Sequence, residues 1–272
     1  MTRAGLLAFL YLAVLVSAAR AGSISISITP TVEYANGALS VRVKVANSGD
    51  ESAQTVLPQL RFRDQSARGT GKPTLPPNES YEETLTVPAP GLGTGRWPYR
   101  LGVDYTDVNQ YPFQALQVGV VQVGNPPPGK LAVRIDALQL ATTGSLDVHL
   151  KSLAGEKRET TVVVHVPEGI EVSAQPKPVQ LDGYGETTVR ASLVNRTALA
   201  GSRYPVFASG EYDDGDVHHA VIGQGTLEIV PPRSALGDNR NVFWIGAGVV
   251  VALWVAALVW QQARRRAVTR QA

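Results

Sequence analysis

GRWPYRLGVDYTD (95–107) and GSRYPVFASGEYDD (201–214) are one pattern written twice, and the fold follows from reading it. Each copy opens on a glycine, Gly95 or Gly201, and then sets an aromatic before a proline, Trp97-Pro98 or Tyr204-Pro205. Eight residues after that aromatic comes a tyrosine, Tyr105 or Tyr212, with an acidic residue just before it (Asp104, Glu211) and an aspartate two further on (Asp107, Asp214). Both copies then return through a run ending in Val-Gln-Val or Leu-Glu-Ile. A spacing kept over this length marks two copies of one module. The physical reading is a turn glycine, an aromatic that starts a central strand, and a hairpin at the strand's far end. Proline, which has no N–H to give a ladder, is expected only at the first position of such a strand. Asp214-Gly215 predicts a two-residue hairpin turn, while residues 107–110 predict a longer loop.

The rest of the chain alternates in the same way. SISISI (23–28) and LSVRVKV (39–45) put every second side chain on an apolar face, the period of a half-buried strand, and the cluster at 47–50 ends the second run. Further strand patterns lie at 59–63, 82–87, 99–105 and 115–123, and a second set at 131–135, 145–150, 160–166, 187–193, 204–212 and 217–229. Between the sets stands NPPPG (125–129), a stiff spacer that cannot join a ladder. The 26 glycines and 18 prolines fit many turns between short strands. The expected fold is all-β: two tandem antiparallel β-sandwiches, 23–124 and 130–230, of the immunoglobulin-like kind, with Trp97 and Tyr204 resembling the aromatic of that fold's tyrosine corner.

The ends read as membrane business. Residues 1–21 have Arg3, an apolar run at 6–16 and Ala19-Arg20-Ala21, the parts of a cleavable secretory signal; an uncleaved anchor is the alternative. VFWIGAGVVVALWVAALVW (242–260) holds no charge over nineteen residues, enough to cross a hydrocarbon core of about 30 Å as one helix. Trp244 and Trp260 suit the two interfaces, and Arg264, Arg265 and Arg266 in the tail at 261–272 place that end in the cytoplasm. A short stalk at 231–241 joins this single span to the sandwiches, so the expected localisation is a bacterial inner membrane with periplasmic domains, or a cell surface.

VRVKVANSGDESA (41–53), LPPNESYEETLTVPAP (75–90) and GRWPYRLGVDYTD (95–107) together resemble bacterial and archaeal immunoglobulin-like modules of the CARDB and NEW3 type. Asn47-Ser48-Gly49 and the turn from Leu75 to Ser80 occupy that family's first two elements, with Pro77-Asn78 where Pro-Gly is usual; asparagine tolerates the same positive φ. The second half lacks the first element. The resemblance implies a surface or envelope accessory module and brings no catalytic residue with it.

Charge and composition exclude more than they select. The net charge is +2 and four positive charges lie in the tail, so the exported part is near neutral and unsuited to nucleic acid. With no cysteine there is no disulfide, lipid-acceptor thiol or thiolate metal site. No Gly-x-Ser-x-Gly or His-Glu-x-x-His motif is present, no cofactor is implied, and the four histidines include His149 and His165 inside strand patterns. The densest polar cluster, Glu211, Asp213, Asp214, Asp216, His218 and His219, could hold a divalent metal, but a solvated hairpin tip explains it as well. On a regular strand His218 and His219 point to opposite faces, against a joint site. DVNQYPF (107–113) sets Asn109, Tyr111 and Phe113 at a sheet end, where sandwiches present binding loops; these are the partner-binding candidates. The expected function is non-enzymatic binding or scaffolding of an envelope protein or polysaccharide. Strand capture by a chaperone-like protein and carbohydrate binding at the aromatic loop are the alternatives.

Overall fold

A computed structural model describes residues 22–232 and Trp254. The signal segment, the span at 242–260 apart from Trp254, with Trp244 and Trp260, and the tail with Arg264, Arg265 and Arg266 lie outside the described residues. Among the described residues no helix is long and apolar enough to cross a membrane. Every regular element from 22 to 232 is a strand. The first half has β1 (Ile26–Ala35), β2 (Ala38–Asn47), β3 (Ala53–Phe62), β4 (Gln65–Arg68), β5 (Lys72–Leu75), β6 (Ser80–Pro88), β7 (Gly95–Thr106) and β8 (Pro112–Val123). The second has β9 (Leu131–Ile135), β10 (Leu138–Leu140), β11 (Thr143–Ser152), β12 (Arg158–His165), β13 (Ile170–Ala174), β14 (Val179–Leu181), β15 (Glu186–Asn195), β16 (Arg203–Asp214) and β17 (Val217–Ile229).

The alternation in sequence becomes two layered cores. In the first half a three-stranded sheet, β1-β2-β6, covers β3, β7 and β8. Leu39, Val41, Val43 and Val45 of β2 are buried against Leu60 and Phe62 of β3 and Leu101 and Val103 of β7, while Arg42 and Lys44 face water. In the second half the sheet β13-β15-β11-β9 covers β12, β16 and β17, and Leu146, Val148 and Leu150 meet Val162, Val164, Val206 and Ala208. Burying each such side chain contributes roughly 1.5–3 kcal/mol. The repeat is a repeat of topology: β7 lies between β3 and β8 as β16 lies between β12 and β17.

Several local expectations are corrected. The first strand starts at Ile26 rather than Ser23 and runs on to a hairpin at Asn36-Gly37, where both residues have positive φ (53° and 72°). Pro98 and Pro205 are not first in their strands. Each pairs on one side only, Pro98 with Val120 and Pro205 with Thr226, and stands two residues before the last rung to the strand on its other side, Arg61↔Arg100 and His165↔Phe207. Strands β4, β5, β10, β13 and β14 are three to five residues long, too short for a period to show. The turn between β16 and β17 has two residues as expected but lies one position later, at Gly215-Asp216, because Asp214 still pairs with Val217. Other readings hold: Asn78 takes φ 61° at the turn where glycine is usual, and five residues link β7 to β8.

The halves belong to one compact unit. β17 pairs with β7 at a single parallel rung, His218↔Gly95, so the two inner sheets are continuous as one ten-stranded sheet. The outer face of β7 and β8 then lies on the outer face of β12, β16 and β17, with Leu116, Val118, Phe207 and Ile222 as a small apolar patch between them. The two repeat glycines serve different needs. Gly201 has φ 92°, a turn conformation, whereas at Gly95 a Cβ would stand 2.4 Å from the His218 carbonyl oxygen. Gly95→Ala should therefore push the halves apart and leave both cores intact. The check is limited proteolysis of the full chain, with faster cutting at 125–129 and unchanged strand circular dichroism; an unchanged cutting rate would mean that the rung does not hold the seam.

Candidate functional site

Strand alternation along β16 sorts its side chains between core and seam. Tyr204, Val206, Ala208 and Tyr212 enter the second core; Phe207, Ser209, Glu211 and Asp213 face the first half. On β17, His218 lies opposite Asp213 and His219 opposite Tyr212. His219 is buried and stacks on the Tyr212 ring, 4.8 Å between centroids, whereas His218 turns to the seam and stacks on Trp97 at 4.0 Å and 13°. The two histidines part as the alternation requires.

His218 is the hub of the seam. Its Nδ1 lies 2.8 Å from Asp213 Oδ1, and its Nε2 lies 3.4 Å from Glu211 Oε2. Its backbone N–H donates to the Thr94 carbonyl at 3.3 Å. Burial opposes charge on the ring, but Glu211 and Asp213 outweigh it and raise the pKa. Burial would likewise raise Glu211, yet bonds from His218 and Ser209 leave its pKa lowered. Deeper in, His165 Nε2 is 3.3 Å from Ser209 Oγ; burial and the nearby Arg100 push its pKa down to about 4. Ser209 is fully buried and gives its proton to Glu211 at 2.8 Å, so His165 and Ser209 do not form a base and an accessible nucleophile.

Two cavities meet at Glu211. One, about 560 Å³, is lined by Lys157, Arg158, Glu159 and Asp213 beside His218. The other, about 380 Å³, opens between Arg61, Arg63 and Arg100 of the first half and Val163 and His165 of the second. Arg63 lies over the Trp97 ring at 5.4 Å, and Trp97 Nε1 donates to the Gly93 carbonyl at 3.1 Å.

The candidates from sequence are placed as follows. His218 and Asp213 come together, but Asp214 turns to Lys130 Nζ at 3.2 Å and Asp216 sits exposed in the turn. Among the described residues no group of three His, Asp or Glu side chains could hold a metal ion. In the loop, Asp107 Oδ1 accepts from the N–H groups of Asn109 and Tyr111, at 2.9 and 2.8 Å. Tyr111 and Phe113 are brought together, 5.4 Å between rings, with Tyr105 stacked on Phe113 at 5.5 Å. The Tyr111 hydroxyl donates across to the Thr197 carbonyl, which ties this loop to the second half; Asn109 is exposed. Arg61, Arg63, Arg100 and His165 were not singled out by sequence, because only strand pairing makes them neighbours.

No family model and no curated protein matches the chain. Solved structures similar to it include native alpha-2-macroglobulin of E. coli, at 12% identity and TM-score 0.32, over 76% of this chain and 17% of that one. A protein of unknown function from Porphyromonas gingivalis W83 is similar at 14% identity and TM-score 0.33, over 75% of this chain and 99% of that one. Red sea bream transglutaminase is similar at 12% identity and TM-score 0.25, over 75% and 31%. The chain thus spans less than a fifth of the macroglobulin's length.

The two seam histidines give opposite pH signatures. The depressed pKa of His165 contributes stability that is whole above pH 6.5 and lost as pH falls toward about 4. The raised pKa of His218 contributes stability that is whole below pH 6.5 and lost as pH rises through its folded value. His165→Gln should flatten the fall in melting temperature between those limits, recovering up to about 2–3 kcal/mol. The loss of stability in His218→Gln should be largest near pH 6 and shrink above it. Melting curves of both variants against pH check the two signs.

Proposed function

We propose that the chain is a non-enzymatic binding and scaffolding protein of a cell envelope, two immunoglobulin-like sandwiches of the CARDB and NEW3 kind held to a membrane by a single span at 242–260. The observation that carries this reading is the seam. Two modules joined by a flexible linker would be free to swing, but here β7 and β17 share a rung and the outer sheet faces are stacked. A stiff body of this kind suits presentation of a surface at a fixed distance from a membrane. The cleft in the seam offers charged and hydrogen-bonding groups for recognition, and the buried Ser209 behind it donates to Glu211.

The partner belongs to the envelope, a protein or a polysaccharide. The cleft is walled by β3, β7, β12 and β16, all interior strands of the sheet order, and where β14 leaves β12 the Val164 N–H and carbonyl are already bonded by the Gln175 side chain; this favours ligand binding over strand capture at this site. Removing residues 242–272 should release the protein from the membrane fraction into the soluble exported fraction. Crosslinking of the full chain in its own membrane, followed by mass spectrometry, should recover one dominant envelope component. Retention in the membrane without those residues, or recovery of cytosolic proteins alone, would overturn the reading.

A further inference from the structure

The smaller cleft cavity has a charge arrangement that the fold does not need. Arg61 and Arg100 stand directly opposite one another across the antiparallel pair β3 and β7. Like charges at such a position repel and destabilise the sheet. Arg63, two residues along, adds a third guanidinium to the same cavity and adopts φ 52°, a left-handed conformation that costs a bulky residue about 1 kcal/mol. Arg100 is largely covered, yet its bonds go to neutral acceptors, Gln114 Oε1 at 2.8 Å and the Val166 carbonyl at 3.2 Å. Burial and Arg61 lower its pKa, and Asp104 and Glu168 offset this only in part. Among the described residues no ion pair within 4.0 Å includes Arg61, Arg63 or Arg100. A covered, repelled and unpaired cation persists where an anion is expected from outside.

We propose that this cleft binds the carboxylate of an acidic sugar, a uronate unit of an envelope glycan, with Arg61, Arg63 and Arg100 as its ligands. Guanidinium forks match a planar carboxylate in two parallel bonds. Glu211, where the two cavities meet, accepts from the hydroxyl groups that flank a sugar carboxylate, and Lys157 and Arg158 wait in the adjoining cavity for a further acidic unit. An acidic peptide would gain most from a free strand edge, and the walls are interior strands, with the Val164 backbone of β12 already bonded by the Gln175 side chain. The Trp97 ring is already in contact with His218 and Arg63, so charge rather than stacking sets the preference, against neutral sugars.

The inference rests on the reading as a binding protein, but the two fail separately: anchoring and partner capture can hold while uronate does not bind. The test is calorimetric titration of the full chain in detergent with an oligogalacturonate, beside a neutral oligosaccharide, a poly-glutamate peptide and inorganic phosphate. Saturable binding of the uronate alone is expected, weakened about tenfold or more in Arg61→Gln and in Arg63→Gln and weakened again on raising salt from about 0.05 to about 0.5 M. Without ligand, Arg61→Gln should melt no lower than the parent, since it relieves the repulsion of Arg100; this separates a lost ligand from a damaged fold. Poly-glutamate or phosphate binding as tightly as the uronate would overturn the sugar assignment. Absence of uronate binding, or binding that both variants leave unchanged, would overturn the site.

Discussion

The structure turns on the close approach of β17 to β7 at Gly95. Only a residue without a Cβ lets the His218 carbonyl come so near, and that approach sets everything around it. It fixes the rung between the halves, lays the His218 ring on Trp97, and holds Glu211 and Asp213 against the imidazole. With β17 held there, the outer faces of the two inner sheets have to stack. The cleft is the space left where that stacking is incomplete.

The seam and the cores are held by different forces. Each core is a continuous set of buried aliphatic and aromatic side chains, whose burial is non-directional and large in sum. Among the described residues the seam has one small cluster of that kind, Leu116, Val118, Phe207 and Ile222, and it depends besides on directed polar contacts: Arg100 to Val166, the Glu168 N–H to Gln114, Tyr111 to Thr197. Such contacts contribute about 1 kcal/mol each and only in one geometry. They make the seam specific and also the weakest layer, sensitive to the protonation of His165 and His218.

This division also explains what could be read from sequence. Alternation at 39–45 and 145–150 exposed the core strands, and the repeated Trp-Pro and Tyr-Pro spacing exposed the duplication, because both are local patterns. The opposite headings of His218 and His219 followed from the same period. The seam could not be read in that way. Arg61 and Arg100 are neighbours only through the register of β3 on β7, and His165 reaches Ser209 only through β12 on β16. The position of the prolines misled for a related reason: whether a strand is paired on one side or two near its start depends on where the neighbouring strand stops. The aromatic loop was found but its surroundings were not, since the tie from Tyr111 to Thr197 spans the two halves.

Seen as a pair of like modules, the seam brings equivalent strands together, the geometry of an isologous contact. The departure from symmetry makes the cleft. Arg100 follows Trp97 by three residues, as Phe207 follows Tyr204, so these positions correspond; their partners across the ladder, Arg61 and His165, correspond as well. In one module that pair is two guanidiniums. In the other it is a phenyl ring and an imidazole kept neutral by its burial and by Arg100. A second cationic pair would have forced the faces apart, and two apolar pairs would have closed them. One of each gives a seam that stays shut around the phenyl ring and leaves a positively charged wall unanswered.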